Sequence, residues 1–113
     1  MQSFSGFVER GKQRGRVLGF PTINIALEDK TVSGIYAANV YADVSTFRAA
    51  AFADPSRSVL EAHLLDFSGD LYGKEVRIEL VEKLRESAAY ESDCALKQAI
   101  AGDVAKVREY FKN

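Results

Sequence analysis

Helical hydrophobic periodicity occurs in one place, near the C-terminus, and this feature excludes most fold classes. The apolar residues there recur every three or four positions: Leu96, Ile100, Val104, Val107 and Phe111. This spacing predicts one amphipathic helix, which either Ser92 or Asp93 can cap at its N-terminus. No helical pattern separates the preceding segments, so a fold built from βαβ units is disfavoured.

The rest of the sequence alternates between apolar and polar residues in short segments. Such alternation is typical of half-buried strands. The predicted strands are residues 3–8, 21–27, 35–41, 46–52, 59–67 and 75–84. Together with the closing helix, they predict a mainly β domain, either an antiparallel sheet or a small barrel with an appended helix. At 113 residues the chain has the size of one domain, spanning 1–113.

Residues 6–24 combine glycines, basic residues and short oxygen-bearing side chains. Gly11 and Gly15 allow positive φ and a close approach of the backbone to a ligand. Arg16 belongs to a local cationic run in a chain of net charge −1. We interpret the stretch as a phosphate and metal site. For glycines and basic residues alone, a solvated surface loop is the simpler explanation.

Thr22 and Asn24 lie two residues apart in a predicted strand, so their side chains point to the same side of the sheet. One cation can then contact both. Hydroxyl and amide oxygens are ligands that Mg²⁺ accepts. Pro21 is compatible only with the start of this strand or with a sheet edge.

Glu61 and His63 share one face of the predicted strand 59–67. Glu61 alone is a weak site candidate, and His63 could act as a base. A solvent-facing position is the ordinary explanation for a strand glutamate, and packing or surface exposure is the ordinary one for a single histidine. Because the chain has one histidine, a His-rich metal site is excluded.

Composition and motifs exclude several function classes. A net charge of −1 argues against nucleic-acid binding through overall charge. Cys94 is the only cysteine, so no intrachain disulfide can form. The glycine-rich stretch matches neither a P-loop nor a dinucleotide fingerprint. No run has the length of a membrane span and no secretory pattern is present, so we expect a cytoplasmic protein without membrane partners, and a monomer by default.

Ordered motifs along nearly the whole chain resemble the riboflavin kinase family, which also occurs as the C-terminal module of bifunctional bacterial riboflavin kinase/FAD synthetases. The motifs are Gly15-Arg16, Leu18-Gly19-Phe20-Pro21-Thr22, Asn24, Gly34-Ile35-Tyr36, Glu61-Ala62-His63-Leu64-Leu65-Asp66-Phe67, Asp70-Leu71-Tyr72-Gly73, Leu84-Arg85, Tyr90 and Ser92. The resemblance implies a small antiparallel, Greek-key-like β-barrel with a C-terminal helix. It also implies an enzyme that transfers the γ-phosphoryl group of ATP to the ribityl 5′-hydroxyl of riboflavin, giving FMN and ADP.

The same resemblance assigns roles to individual residues. It implies that Glu61 is the catalytic base and that Thr22 and Asn24 bind Mg²⁺ or another divalent metal. The residues implied for ATP are Gly11, Gly15, Arg16 and Thr22. The residues implied for the flavin are Ile78, Val81, Arg85 and Ser92.

One segment departs from the family pattern. Residues 51–58 are shorter than the corresponding family segment and keep only Pro55 of a Gly-x-x-Pro-Thr-Phe-like motif. This departure motivates an alternative function, a non-catalytic flavin- or nucleotide-binding module. A third hypothesis is a small barrel that binds single-stranded nucleic acid, because aromatic residues and a basic loop occur together. The overall charge disfavours it.

Overall fold

The computed structural model describes residues 2–10 and 18–112. Within them the chain forms six strands and one helix: β1 (Gln2–Phe7), β2 (Ile23–Ala26), β3 (Gly34–Ala42), β4 (Ser45–Asp54), β5 (Val59–Leu64), β6 (Glu75–Arg85) and α1 (Asp93–Tyr110). All six predicted strands and the predicted helix are confirmed. Strand β2 is shorter than the predicted strand 21–27 and begins after Thr22, and β4 is longer than the predicted strand 46–52. The strand predicted at 59–67 ends at Leu64. Asp66 then has a left-handed φ of 58° in a turn.

The strands form one antiparallel sheet with the order β1-β6-β3-β4-β5-β2. Within it, the order β6-β3-β4-β5 is a Greek key, because the last strand returns beside the first. The two ends of the sheet meet where Glu9 N donates a hydrogen bond to Asn24 O, 2.7 Å away. The sheet is therefore a nearly closed barrel, as expected.

The barrel interior is filled by alternate residues of all six strands. Ile25, Val40, Leu60 and Ile78 are fully buried there. Strand β4 contributes alanines to both faces, and alanine is a poor strand former by itself. Tertiary packing compensates, because the small inward side chains leave room for the larger ones opposite. On the outer face, Ala50 allows the helix to pack close to the sheet.

Helix α1 rests on the outer face of the barrel. Ser92 caps it, accepting a hydrogen bond from Ala95 N at 3.1 Å. Val107 is fully buried against Ala37 and Ala50. This helix is not long and apolar enough to cross a membrane, and the described residues contain no other helix.

Asp103 forms the second attachment of the helix to the barrel. Its two carboxylate oxygens accept hydrogen bonds from Nε and Nη2 of Arg85 in β6, at 2.8 and 2.7 Å. The Asp103 side chain is only 2% exposed. A buried charge requires such pairing because transfer from water is costly. The helix is thus held by apolar packing around Val107 and by this buried ion pair. A more exposed ion pair also joins Arg108 of the helix to Asp66.

A glycine permits close strand contact beside this ion pair. Gly34 has φ of +106°, and a Cβ at this position would lie 2.8 Å from the carbonyl oxygen of Arg85. Both the backbone conformation and the available space therefore favour glycine. The start of β3 and the end of β6 consequently lie close together where the helix attaches.

Candidate active site

The register of the sheet aligns one row of outward-facing residues across five strands. Asn24 in β2 lies opposite Glu61 in β5, and Glu61 lies opposite Phe52 in β4. Phe52 lies opposite Ile35 in β3, which lies opposite Arg85 in β6. Paired residues in a sheet point to the same face. The row therefore joins a polar end at Asn24 and Glu61 to an apolar middle and a cationic end.

A cavity of about 470 Å³ covers most of this row. Helix α1 and the segment 87–90 form its outer walls. Its apolar surface comes from residues of the barrel, the helix and the segment before the helix: Phe20, Ile35, Phe52, Tyr90, Leu96 and Ile100. Thr22, Arg57, Glu61 and Arg85 add polar groups. An apolar cavity with a few convergent polar groups is typical of a small-molecule site.

A smaller cavity, of about 90 Å³, lies on the other side of Thr22. Asn24, Arg10 and Tyr72 contribute to its wall. The guanidinium carbon of Arg10 lies 4.5 Å from the centre of the Tyr72 ring. Thr22 borders both cavities. Thr22 and Asn24 therefore lie in the wall of the same small cavity, with Thr22 just before β2. Glu9 and Asp70 also line this cavity, so its wall carries charges of both signs.

Both carboxylate oxygens of Glu61 accept hydrogen bonds at the junction of the cavities. Oε1 accepts from Thr22 Oγ1 at 3.1 Å, and Oε2 accepts from Arg57 Nη2 at 2.7 Å. The Glu61 side chain is 24% exposed. The Glu61 carboxylate is therefore fixed by two hydrogen bonds in the wall of the cavity. These contacts do not fit the explanation that Glu61 is simply a solvent-facing strand residue.

Asp54 organises the turn from which Arg57 reaches Glu61. Its Oδ1 accepts hydrogen bonds from Ser56 N at 3.1 Å and Ser56 Oγ at 2.6 Å. Its Oδ2 accepts from Arg57 Nε at 2.7 Å. These bonds, the Ser56 hydroxyl foremost and then the Arg57 side chain, lower the pKa of Asp54 to about 2. The carboxylate is therefore ionised at neutral pH and keeps Arg57 in place.

His63 holds the chain just before Thr22. Its Nδ1 lies 2.8 Å from the carbonyl oxygen of Pro21. Because a carbonyl oxygen only accepts, Nδ1 carries the hydrogen. The ring also packs edge-on against Phe20, with the centroids 5.4 Å apart. These contacts favour a packing and positioning role for His63 over a role as the base.

Of the residues predicted to contact the flavin, the structure brings Arg85 to the large cavity. Ile78 is fully buried inside the barrel, because it shares the inward face of β6 with Val76 and Leu80. Val81 lies at a bulge of β6, and Ser92 serves as the helix cap. Neither of these two contributes to the wall of the cavity as described.

The predicted nucleotide-covering residues Gly11, Gly15 and Arg16 lie outside the described part of the chain, and their role stays a prediction.

Sequence reasoning missed several residues at the cavity. Arg57 was treated only as part of a shortened segment, and Phe52 only as a strand residue. The spacing predicts that Leu96 and Ile100 lie on the apolar side of the helix, but it does not show what they contact. The only sequence feature that points to the cavity is the length of this apolar side, which is greater than the contact of the buried Val107 requires. The pairings that define the cavity join residues distant in sequence.

Comparison with known proteins agrees with the fold and with the sequence motifs. The family model for flavokinase, described as riboflavin kinase, matches residues 1–111. The bifunctional riboflavin kinase/FMN adenylyltransferase of Escherichia coli (strain K12) is 36% identical, over 96% of this chain and 38% of that protein. The chain spans between 18% and 41% of the length of the curated relatives it matches.

Solved structures similar to the chain include a macrolide-efflux protein and a riboflavin kinase. A crystal structure of a macrolide-efflux protein from Streptococcus pneumoniae superposes with a TM-score of 0.81 at 26% identity, covering 94% of this chain and 38% of that one. The riboflavin kinase of Trypanosoma brucei superposes with a TM-score of 0.67, also at 26% identity, covering 98% of this chain and 80% of that one. With a family match over nearly its full length and the same barrel and helix, the chain belongs to the riboflavin kinase (flavokinase) family.

Proposed function

We propose that this chain phosphorylates riboflavin, transferring the γ-phosphoryl group of ATP to the ribityl 5′-hydroxyl to give FMN and ADP. The observation that carries the proposal is the hydrogen bond between Thr22 and Glu61. This bond supports the proposal, because it joins Glu61, the candidate base in the wall of the large apolar cavity, to Thr22, which also borders the smaller polar cavity. A kinase needs its two substrates held close together in reactive geometry.

The large cavity supports an aromatic acceptor with a polar chain. Its apolar walls, including Phe52 and Leu96, suit a flat ring system. Its polar end contains Glu61 and Thr22. In the proposed complex, the isoalloxazine ring lies between the barrel and the helix, and the ribityl chain extends toward Glu61.

The smaller cavity supports binding of the nucleotide phosphates and a divalent metal. The Thr22 hydroxyl and the Asn24 amide are oxygen donors of the kind that Mg²⁺ accepts, and phosphate oxygens commonly complete its coordination. These donors fit the metal, so we assign Thr22 and Asn24 to it. When bound, Mg²⁺ neutralises charge on the transferred phosphoryl group. Gly11, Gly15 and Arg16 are proposed to cover the nucleotide, on the family resemblance.

Glu61 is proposed to accept the proton of the ribityl hydroxyl. As that O–H bond breaks, the oxygen forms a bond to the γ-phosphorus, and the bond from the γ-phosphorus to the bridging oxygen breaks, leaving ADP. Phosphoryl transfer depends mostly on positioning and charge stabilisation. A carboxylate within hydrogen-bond reach of the alcohol is suited to the role of base.

A direct assay tests the proposal. The chain is incubated with riboflavin, Mg²⁺ and either ATP or CTP, and the flavins are separated. We expect FMN formation that requires both the nucleotide and the metal. Saturable riboflavin binding without FMN under any nucleotide or metal condition would overturn the proposal and favour a non-catalytic flavin-binding module.

A further inference from the structure

We infer that Arg57 is a positioning residue for this reaction: anchored by Asp54, it holds Oε2 of Glu61, so that Oε1 is the oxygen that accepts the substrate proton. The inference rests on the proposed function. It concerns the shortened segment 51–58, which keeps only Pro55 of the family motif described above.

The turn between β4 and β5 holds Arg57 at a defined place. Ser58 N donates to Pro55 O at 3.2 Å, which closes the turn. Asp54 accepts hydrogen bonds from the backbone and the hydroxyl of Ser56. An Asp that bonds its own turn in this way fixes the local backbone. Arg57 therefore projects from a rigid hairpin end into the cavity wall.

Arg57 links the two carboxylates of this hairpin. Its Nε donates to Asp54 and its Nη2 donates to Glu61, both at 2.7 Å. Because the guanidinium is planar and rigid, contacts through two of its nitrogens fix its plane. The Arg57 side chain is 40% exposed, and ion pairs this exposed add little to stability. Its main effect is therefore on the orientation of the Glu61 carboxylate.

The contacts of Glu61 distinguish its two oxygens. Oε2 is bound to Arg57, whereas Oε1 is bound to Thr22, which borders both cavities. A carboxylate oxygen can accept about two hydrogen bonds, so Oε1 can accept a second one from a substrate hydroxyl. In the transfer step, the hydroxyl proton moves to Oε1 while Oε2 remains bonded to Arg57.

Kinetics of Arg57→Gln and Arg57→Lys test this assignment, with Arg108→Gln as the matched control. Arg108 pairs with Asp66 outside the large cavity. The measurements are kcat, KM for riboflavin and ATP, and riboflavin affinity from quenching of flavin fluorescence. For Arg57→Gln we expect kcat to fall roughly 10- to 100-fold, the cost of a misplaced catalytic group. Both KM values and the riboflavin affinity should change less than about threefold.

The conservative variant and a double mutant separate positioning from other roles. Arg57→Lys keeps the charge and one hydrogen bond, so it should recover part of kcat. In a Glu61→Gln background, Arg57→Gln should cause no further loss of the residual rate, because the group it positions is gone. Arg108→Gln should match the wild-type chain.

Several outcomes would overturn the inference. An unchanged kcat in Arg57→Gln, or a change confined to the riboflavin KM, would mean that Arg57 only lines the cavity and does not position Glu61. An equal loss in the Glu61→Gln background would mean that Arg57 acts on the phosphoryl group. If the wild-type chain forms no FMN, the proposed function fails and the inference fails with it. If the wild-type chain forms FMN and any of the results above is obtained, the inference alone is rejected.

Discussion

Two arginines that line the same cavity, Arg57 and Arg85, differ in what their ion pairs do. Arg85 pairs with Asp103, which is 2% exposed, and so attaches the helix to the barrel. Arg57 pairs with Glu61, which is 24% exposed, at the polar end of the cavity. Burial makes the difference, because breaking a buried pair leaves an uncompensated charge, whereas water can replace an exposed partner. One pair therefore stabilises the fold and the other orients a side chain.

The two arginines also differ in how far their side chains are committed to the fold. The hydrogen bonds that Arg85 donates to Asp103 raise the pKa of Arg85, and its charge is neutralised by the helix. Arg57 is more exposed, and its partner Glu61 is the carboxylate proposed to bind the substrate hydroxyl. Removing the carboxylate partner of each arginine tests the contrast directly.

The largest expected effect is on catalysis, in Glu61→Gln. Loss of a general base lowers rates by roughly 10²- to 10⁴-fold, so we expect turnover to fall in this range. Riboflavin binding and the free energy of unfolding should change little, because the pair with Arg57 is partly exposed. The checks are the FMN assay, flavin fluorescence and urea denaturation. The control is Glu82→Gln, at an exposed position of β6. If Glu61→Gln turned over as fast as the wild-type chain, Glu61 would have no role in the mechanism.

The next effect is on stability, in Asp103→Ala. Removing one partner of a buried ion pair costs about 3 kcal/mol, which should appear in the free energy of unfolding measured in urea. Riboflavin affinity should fall as well, because Leu96 and Ile100 of the same helix form part of the cavity wall. Arg57→Gln should lose less than about 1 kcal/mol in the same measurement. Equal losses in the two variants would contradict the contrast between the arginines.

The smallest effect is a pH dependence that arises from Asp54. Its pKa is lowered from 3.8 to about 2, so its stabilising contribution is present above 3.8 and is lost as the pH falls through about 2. Because the side chain is 35% exposed, the contribution should be below about 1 kcal/mol. Urea denaturation of the wild-type chain and Asp54→Asn should show a stability difference that shrinks across this interval. A difference that grows toward low pH would have the wrong sign.

Local patterns predicted much of the fold and part of the site. Period-two alternation placed Thr22 and Asn24 on the same side, and Glu61 on one face of its strand with His63. In the structure Asn24 lies opposite Glu61, and Thr22, which precedes β2, donates a hydrogen bond to Glu61. The same alternation placed Ile78 on one face with Val76 and Leu80, but it did not show that this face is the interior. Which face is buried depends on how the barrel closes, and closure joins Glu9 to Asn24, which belong to different segments of the chain.

The sequence by itself determined the element types, their order, the two candidate helix caps and the family, because these depend on local spacing and on ordered motifs. The tertiary structure alone decided that Arg57 holds Glu61, that Asp103 holds Arg85, and that Phe52 and Ile35 form a cavity with Leu96. The physical reason is register. Side-chain alternation is encoded within each strand, whereas the alignment of one strand with the next depends on long-range hydrogen bonds and packing of the whole barrel.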